Sequence, residues 1–176
     1  MLFQKGSLLV RPLESKDSGV LQKWLSDPRV LEFYEGRDNP FDLKKVEQVF
    51  FDSDDEEVKC LVQFNETAIG YIQYYPLDHE AAAEHGYSGK KVYGTDQFIG
   101  EPEFWNKGVG TLLVSSMLEF LKNQKGVEII VMDPQVRNTR AISCYEKCGF
   151  KKVKVLPENE LHEGVYQDCW LMELRF

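Results

Sequence analysis

Three features of this sequence combine residue types and spacings that could do chemistry: an aspartate on an apolar strand, a glycine-bearing turn before a long helix, and a capped short helix thirty residues later. Alternation along residues 92–99 puts Asp96 on one face with Val92 and Phe98. A carboxylate on a partly apolar face has its pKa raised and becomes a better proton acceptor. The competing reading of Asp96 is a salt-bridged or strand-end residue with no chemistry. The turn is Trp105-Asn106-Lys107-Gly108-Val109-Gly110-Thr111. Glycines there admit a ligand close to the backbone, and the first amides of the following helix suit a pyrophosphate. Gly-x-Gly before a helix also serves packing alone. A Walker A loop needs Lys after its second glycine; here Lys107 precedes both, which excludes a nucleoside triphosphatase.

These residues need elements to position them. Ser7 to Pro12 reads as a strand, followed by a helix capped by Ser15 or Asp17 that carries Val20, Leu21, Trp24 and Leu25 and stops before Pro28. The aromatic and charged stretch 30–38 reads as irregular. A second helix is predicted over about 40–51, with Leu43, Val46, Val49 and Phe50 inward. Residues 58–64 and 68–74 alternate around Asn65-Glu66-Thr67, a β-hairpin pattern. That tripeptide is also a glycosylation sequon, but a turn is the simpler reading. A polar loop, 78–90, leads to the strand 92–99. Helices are predicted over 108–123 and 138–148, the second with Asn138 as N-cap and Gly149 as left-handed stop. Residues 127–132, 151–156 and 169–176 read as strands. The order describes an α/β (α+β) domain with a mixed, mostly antiparallel central sheet flanked by helices.

Length and composition bound the function. The 176 residues, 43% of them apolar, suit one domain spanning 1–176 with a core that needs neither disulfides nor metal. Lys plus Arg total 21 against 29 Asp plus Glu, a net charge of −8. That balance argues against nucleic acid as a partner and favours a neutral or cationic one, although acidity also aids solubility. The four cysteines form no C-x-x-C pair and the three histidines are scattered, so no metal site is expected; Cys144 and Cys148 read as packing residues. No apolar run reaches membrane-spanning length, and the residues 1–6 are too few and too polar for a signal segment. A cytoplasmic protein with no membrane partner, monomeric or homodimeric, is expected.

At Asn138, Ala141, Tyr145, Gly149 and Phe150 the chain fills an Asn-x-x-Ala-x-x-x-Tyr-x-x-x-Gly-Phe pattern, at the usual distance from the glycine turn, and so resembles the GNAT superfamily of N-acetyltransferases. Trp105 stands where that superfamily usually has Gln or Arg. Segments 30–38, 93–102 and 156–164 further resemble aminoglycoside 6'-N-acetyltransferases, most strongly the acetyltransferase half of bifunctional acetyltransferase–phosphotransferase resistance enzymes. The resemblance implies acetyl-coenzyme A as cofactor and a cationic small-molecule amine as acceptor. It implies Asp96 as catalytic base and Tyr145 as the acid for the departing thiolate; a core aromatic is the other reading of Tyr145. Cofactor contacts implied are Phe98, Ile99, Lys107, Gly108, Val109, Gly110, Thr111, Asn138, Ala141 and Tyr145, with an amide near 97–99 facing the oxyanion. N-capping alone would also explain Asn138. For the acceptor it implies Glu32, Tyr34, Asp96, Glu101, Asp133 and Glu163, within an acidic group in the flanking loops that suits a polycation. Acetylation of another small amine, or a non-catalytic acyl-coenzyme A-binding module, are the alternatives; the retained Asp96 speaks against the module.

Overall fold

A computed structural model describes all residues 1–176. In chain order the elements are β1 (Phe3–Lys5), β2 (Leu8–Pro12), α1 (Ser18–Trp24), α2 (Pro28–Leu31), α3 (Leu43–Val46), β3 (Val58–Phe64), β4 (Thr67–Pro76), α4 (His79–Glu84), β5 (Val92–Ile99), α5 (Val109–Lys125), β6 (Ile129–Met132), α6 (Thr139–Lys147), β7 (Lys151–His162) and β8 (Val165–Arg175). The eight strands form one sheet in the order β1-β2-β3-β4-β5-β6-β8-β7. β1–β2, β2–β3 and β6–β8 pair antiparallel, whereas β5 and β6 run parallel from Val92–Ile129 to Gly94–Val131. By contacts the chain divides into two units, one of residues 1–73, 97–109 and 162–165, the other of 74–96, 110–161 and 166–176.

The first unit is built around aromatic packing. Leu21, Trp24, Leu25, Val30, Leu31, Phe41, Val46, Phe50, Leu61, Tyr71 and Phe98 form its core. The Phe98 ring stacks on Tyr71 at 5.5 Å and meets Trp24 edge-on at 6.0 Å, geometries that suit the ring quadrupoles. Asn65 and Glu66 both take positive φ, 48° and 65°, the type I′ turn whose twist matches a tight hairpin, so the sequon residues do turn the chain as expected. The first helix is entered through a 3-10 turn, Ser15–Asp17, with a reciprocal capping box between Glu14 and Asp17. Asp17 also receives both guanidinium nitrogens of Arg11 at 2.8 Å.

The second unit packs α5 through Leu113, Val114, Met117, Leu118 and Leu121, the stripe expected from helical spacing. A separate cluster joins Ala82, Tyr87, Val92, Ile129, Val131 and Leu171. Asn138 caps α6 by accepting from the Ala141 amide, and Gly149 follows at φ 102°.

Several expectations need correction. A short strand at 3–5 precedes the predicted one. Residues 28–31 are helical rather than irregular, because Asp27 caps the Arg29 amide and Pro28 occupies the first turn. The helix expected over 40–51 is one α turn followed by a π turn, Glu47–Phe51. Of the expected stripe Val46 and Phe50 are buried, whereas Leu43 and Val49 are exposed, and Phe41, ahead of the helix, is buried as well. The loop 78–90 contains α4, capped by Asp78. The closing strands are a long hairpin reaching 162 and 165, so Glu158 and Glu160 lie on β7, not in a loop.

Candidate functional site

Consider first the residues of the second unit. The parallel rungs between β5 and β6 run to Gly94–Val131. Two residues beyond that last rung stand Asp96, still on β5, and Asp133, just past the end of β6, close enough for their charges to interact. Asp133 keeps access to solvent but is surrounded by protein, and burial pushes its carboxyl pKa up to about 6. The neighbouring Asp96 charge adds to that rise, as does Glu160, while the Asn159 side-chain amide, donating to Asp133 Oδ2 at 3.2 Å, opposes it. A pair of carboxylates that repel one another this way is relieved by a cation. Asp96 itself is half-buried. Gly94 lies between the chemistry and the ladder: a Cβ there would sit 2.5 Å from the Tyr75 ring, so the strand passes close beneath that side chain.

The same unit holds the C-terminal part of the glycine turn and the residues facing it from α6. Gly110 and Thr111 begin α5 against Cys144, whose Sγ is 3.6 Å from Thr111 Oγ1. Tyr145 packs its ring 6.1 Å from Phe150 and is half-buried, and Ala141 is likewise half-buried. Asn138 spends its side-chain oxygen on the Ala141 amide at 3.4 Å.

In the first unit, Phe98 is buried and Ile99 ends β5. The Ile99 carbonyl accepts from Trp105 Nε1 at 2.8 Å. Trp105, the residue that departs from the superfamily pattern, therefore pins the start of the turn to the end of the strand through its indole. Asn106 and Gly108 then take positive φ, 56° and 79°, and Lys107 between them is exposed. Alternating left-handed residues turn successive amides the same way and make a concave anion cradle. A Cβ at Gly108 would meet nothing within 4 Å, and the first four amides of the 17-residue α5 have no helical partner. This donor set fits the pyrophosphate of an acyl-coenzyme A.

The acidic residues expected around an acceptor are arranged unequally. Glu101 Oε1 accepts from Lys23 Nζ at 2.6 Å and Trp24 Nε1 at 2.9 Å; burial works to raise its pKa, but these donors hold it below the usual carboxylate range. Glu163 sits at the β7–β8 turn with φ 51° and takes Arg37 Nε at 2.8 and 3.0 Å. The charge of Glu32 also acts on Arg37, and Tyr34 lays its ring 4.6 Å from Phe98. Glu32 and Glu163 thus share Arg37, Tyr34 lies against Phe98, and Glu101 is anchored to α1. Sequence reading passed over Arg37, Asn159 and the buried His162, whose ring nitrogens have no hydrogen-bond partner and whose Nε2 is 3.6 Å from Glu163. No local pattern marks them: Arg37 and Asn159 act through partners distant in sequence, and His162 stands out only by its burial.

With this geometry in place, comparison with known proteins gives concordant results. A family model described as an acetyltransferase (GNAT) domain matches residues 14–157. Aminoglycoside N(6')-acetyltransferase type 1 of Klebsiella pneumoniae is 30% identical over 150 residues, covering 83% of this chain and 75% of its own. The crystal structure of the aminoglycoside acetyltransferase AAC(6')-Ib with coenzyme A superimposes with a TM-score of 0.76 at 26% identity, over 96% of this chain and 95% of that one. A spermidine N-acetyltransferase of Vibrio cholerae, crystallised with coenzyme A and spermine, has the same fold, with a TM-score of 0.79 at 20% identity over 97% of this chain and 96% of its own. No helix is long and apolar enough to cross a membrane.

Proposed function

The chain belongs to the GNAT family of acetyl-coenzyme A-dependent N-acetyltransferases, and from that premise we propose that it acetylates the 6'-amine of an aminoglycoside with Asp96 as general base. The observation that carries the reading is the Asp96–Asp133 pair, reinforced by Glu160. An aminoglycoside arrives as a polycation, and its reacting ammonium must lose a proton before it can attack. Two carboxylates that repel each other attract that ammonium, and Asp96, on the strand leading to Phe98 and Ile99, takes the proton. The named activity of the Klebsiella pneumoniae relative supports the choice of acceptor.

The remaining roles belong to the same reading. Bound acetyl-coenzyme A supplies an activated thioester carbonyl. Amides of residues 106–111 and the Lys107 ammonium hold its pyrophosphate, with Asn138 and Ala141 along the arm. A backbone amide at Phe98 or Ile99 faces the developing oxyanion. Tyr145 holds, at its hydroxyl, the proton required by the departing thiolate. Glu32, Tyr34 and Glu163 receive the acceptor's outer rings, with Arg37 orienting Glu163, and Glu101 acts by fixing α1. One transferase domain over 1–176 carries all of these roles.

The test is an acceptor screen with purified protein, acetyl-coenzyme A and thiol detection. Turnover of 6'-amino aminoglycosides well above that of polyamines and amino acids is expected. Turnover of polyamines alone would replace this acceptor with another small amine, and acetyl-coenzyme A binding with no turnover would make the chain a binding module.

A further inference from the structure

We propose that Cys144 on α6 and Cys148 at its C-cap, both against the first turn of α5, form a thiol-modification site at which low-molecular-weight disulfides S-thiolate Cys144 and thereby block the acetyl-coenzyme A loop. The proposal rests on residues 105–111 being that loop, and not on the identity of the acceptor.

The geometry is local and specific. The two cysteines are four residues apart, one helical turn, and both border Thr111. Cys148 Sγ also donates to the Thr111 carbonyl at 3.7 Å, and Cys144 Sγ lies 3.6 Å from Thr111 Oγ1. A Cβ placed on Gly110 would stand 3.8 Å from Cys144 Sγ, so this sulfur borders the second glycine of the turn directly. Cys144 and Cys148 are half-buried, whereas Cys60 and Cys169 are fully buried. The adjacent Cys148 thiol lowers the Cys144 pKa, the Thr111 hydroxyl and the Lys147 charge adding to that against the opposing effect of burial, and the Cys148 pKa rises in turn; burial pushes the thiols of Cys60 and Cys169 up to about 12 and about 11. A thiolate that is accessible and held by a neighbouring thiol is the arrangement found at redox-sensitive cysteines.

The chemistry balances with a disulfide as co-reactant. The Cys144 thiolate attacks one sulfur of the small disulfide, a new S–S bond forms, and the old one breaks. The other half departs as a thiolate and takes a proton from water. Cys144 is oxidised to a mixed disulfide and one small thiol is produced. Resolution by Cys148 would release a second thiol, but Cβ atoms at this helical spacing are about 5–6 Å apart, against about 3.5–4.5 Å in a disulfide. The mixed disulfide therefore persists unless α6 unwinds. Its bulk has to lie over Gly110 and Thr111, where the cofactor approaches.

The test uses the full chain and glutathione disulfide as probe. Peptide mapping by mass spectrometry should find one adduct, on Cys144, reversed by dithiothreitol and absent in Cys144→Ser and Cys144→Ala. Calorimetry should show acetyl-coenzyme A binding weakened by about tenfold or more in the adduct, with both variants binding as the unmodified protein does. Saturating acetyl-coenzyme A should slow adduct formation, and Cys148→Ala should slow it as well. Absence of a Cys144 adduct, or an adduct that leaves acetyl-coenzyme A affinity unchanged, overturns the proposal. Failure of every acceptor to turn over would overturn the proposed acceptor chemistry and leave these binding and mass readouts decisive for the thiols.

Discussion

Replacing Asp96 with Asn removes one negative charge and the proton-accepting oxygen while preserving the shape of the side chain. Two consequences can be worked out. As general base, Asp96 contributes about 10²- to 10⁴-fold to the rate, so kcat should fall by at least about a hundredfold with the KM for acetyl-coenzyme A unaltered. As a neighbour, its charge is the second cause, after burial, of the rise of Asp133 to about 6. In the variant that contribution disappears, so Asp133 should titrate below its wild-type value, though still above the usual aspartate range because the surrounding protein and Glu160 remain. In the wild-type protein, kcat/KM should fall as pH drops through about 6, where Asp133 takes up its proton and the site loses a charge that holds the ammonium. Steady-state kinetics over pH, with carbon-detected NMR of the aspartate carboxyls, measures both effects. An Asp96→Asn enzyme that keeps kcat within about threefold of wild type would refute Asp96 as base. An Asp133 titration that does not move would refute the carboxylate pair.

Other perturbations follow from the packing. A methyl group at Gly100 would overlap the fully buried Trp24 ring, well inside 3.0 Å, and the Glu101 hydrogen bond keeps that ring from swinging away. Gly100→Ala should cost about 1–3 kcal/mol and lower the Tm by several degrees in a thermal melt; an unchanged Tm would contradict the packing. Asp17→Ala leaves the Arg11 guanidinium without its fork partner and should cost about 3 kcal/mol in urea unfolding. Burial works to raise the Asp17 pKa, but Arg11 and the Glu14 amide hold it below 3.8. Its stabilisation is therefore complete above pH 3.8 and disappears as pH falls through the depressed value, so stability should decline there in wild type and less steeply in Asp17→Asn. Trp105→Phe removes the indole donor to Ile99 and should weaken acetyl-coenzyme A binding, read by calorimetry, more than it lowers the Tm.

The elements with clean periodicity were legible from sequence. Strand 92–99 appears with the expected bounds, and the helix starting near Val109 buries the stripe its spacing implies. Asn138 and Gly149 delimit α6 because capping chemistry is local. Where sequence reading failed, the deciding physics was not periodic. β7 continues through Pro157-Glu158-Asn159-Glu160 as a charged edge strand, a pattern without alternation that suits a strand open to water on one side. The π turn at 47–51 is a pairing that no amphipathic template anticipates, and Leu43 and Val49, counted on the apolar face, are exposed. For the site, the residue types at 96, 133 and 105–111 were readable, but their pairings were not. That Glu101 is held by Lys23 and Trp24, that Glu163 is held by Arg37, and that Asp133 responds to Asp96 all depend on contacts across tens of residues.

The central claim is that a pair of carboxylates, Asp96 on β5 and Asp133 just past β6, prepares this chain to acetylate an aminoglycoside amine. The most direct measurement is acetyl transfer to two aminoglycosides alike except at the 6' position, one carrying an amine and the other a hydroxyl, with the product located by NMR. Rapid thiol release with the amine, a product acetylated at the 6' nitrogen, and little turnover of the hydroxyl compound are the predicted results. Equal turnover of both compounds, or acetylation at another amine, would contradict the account.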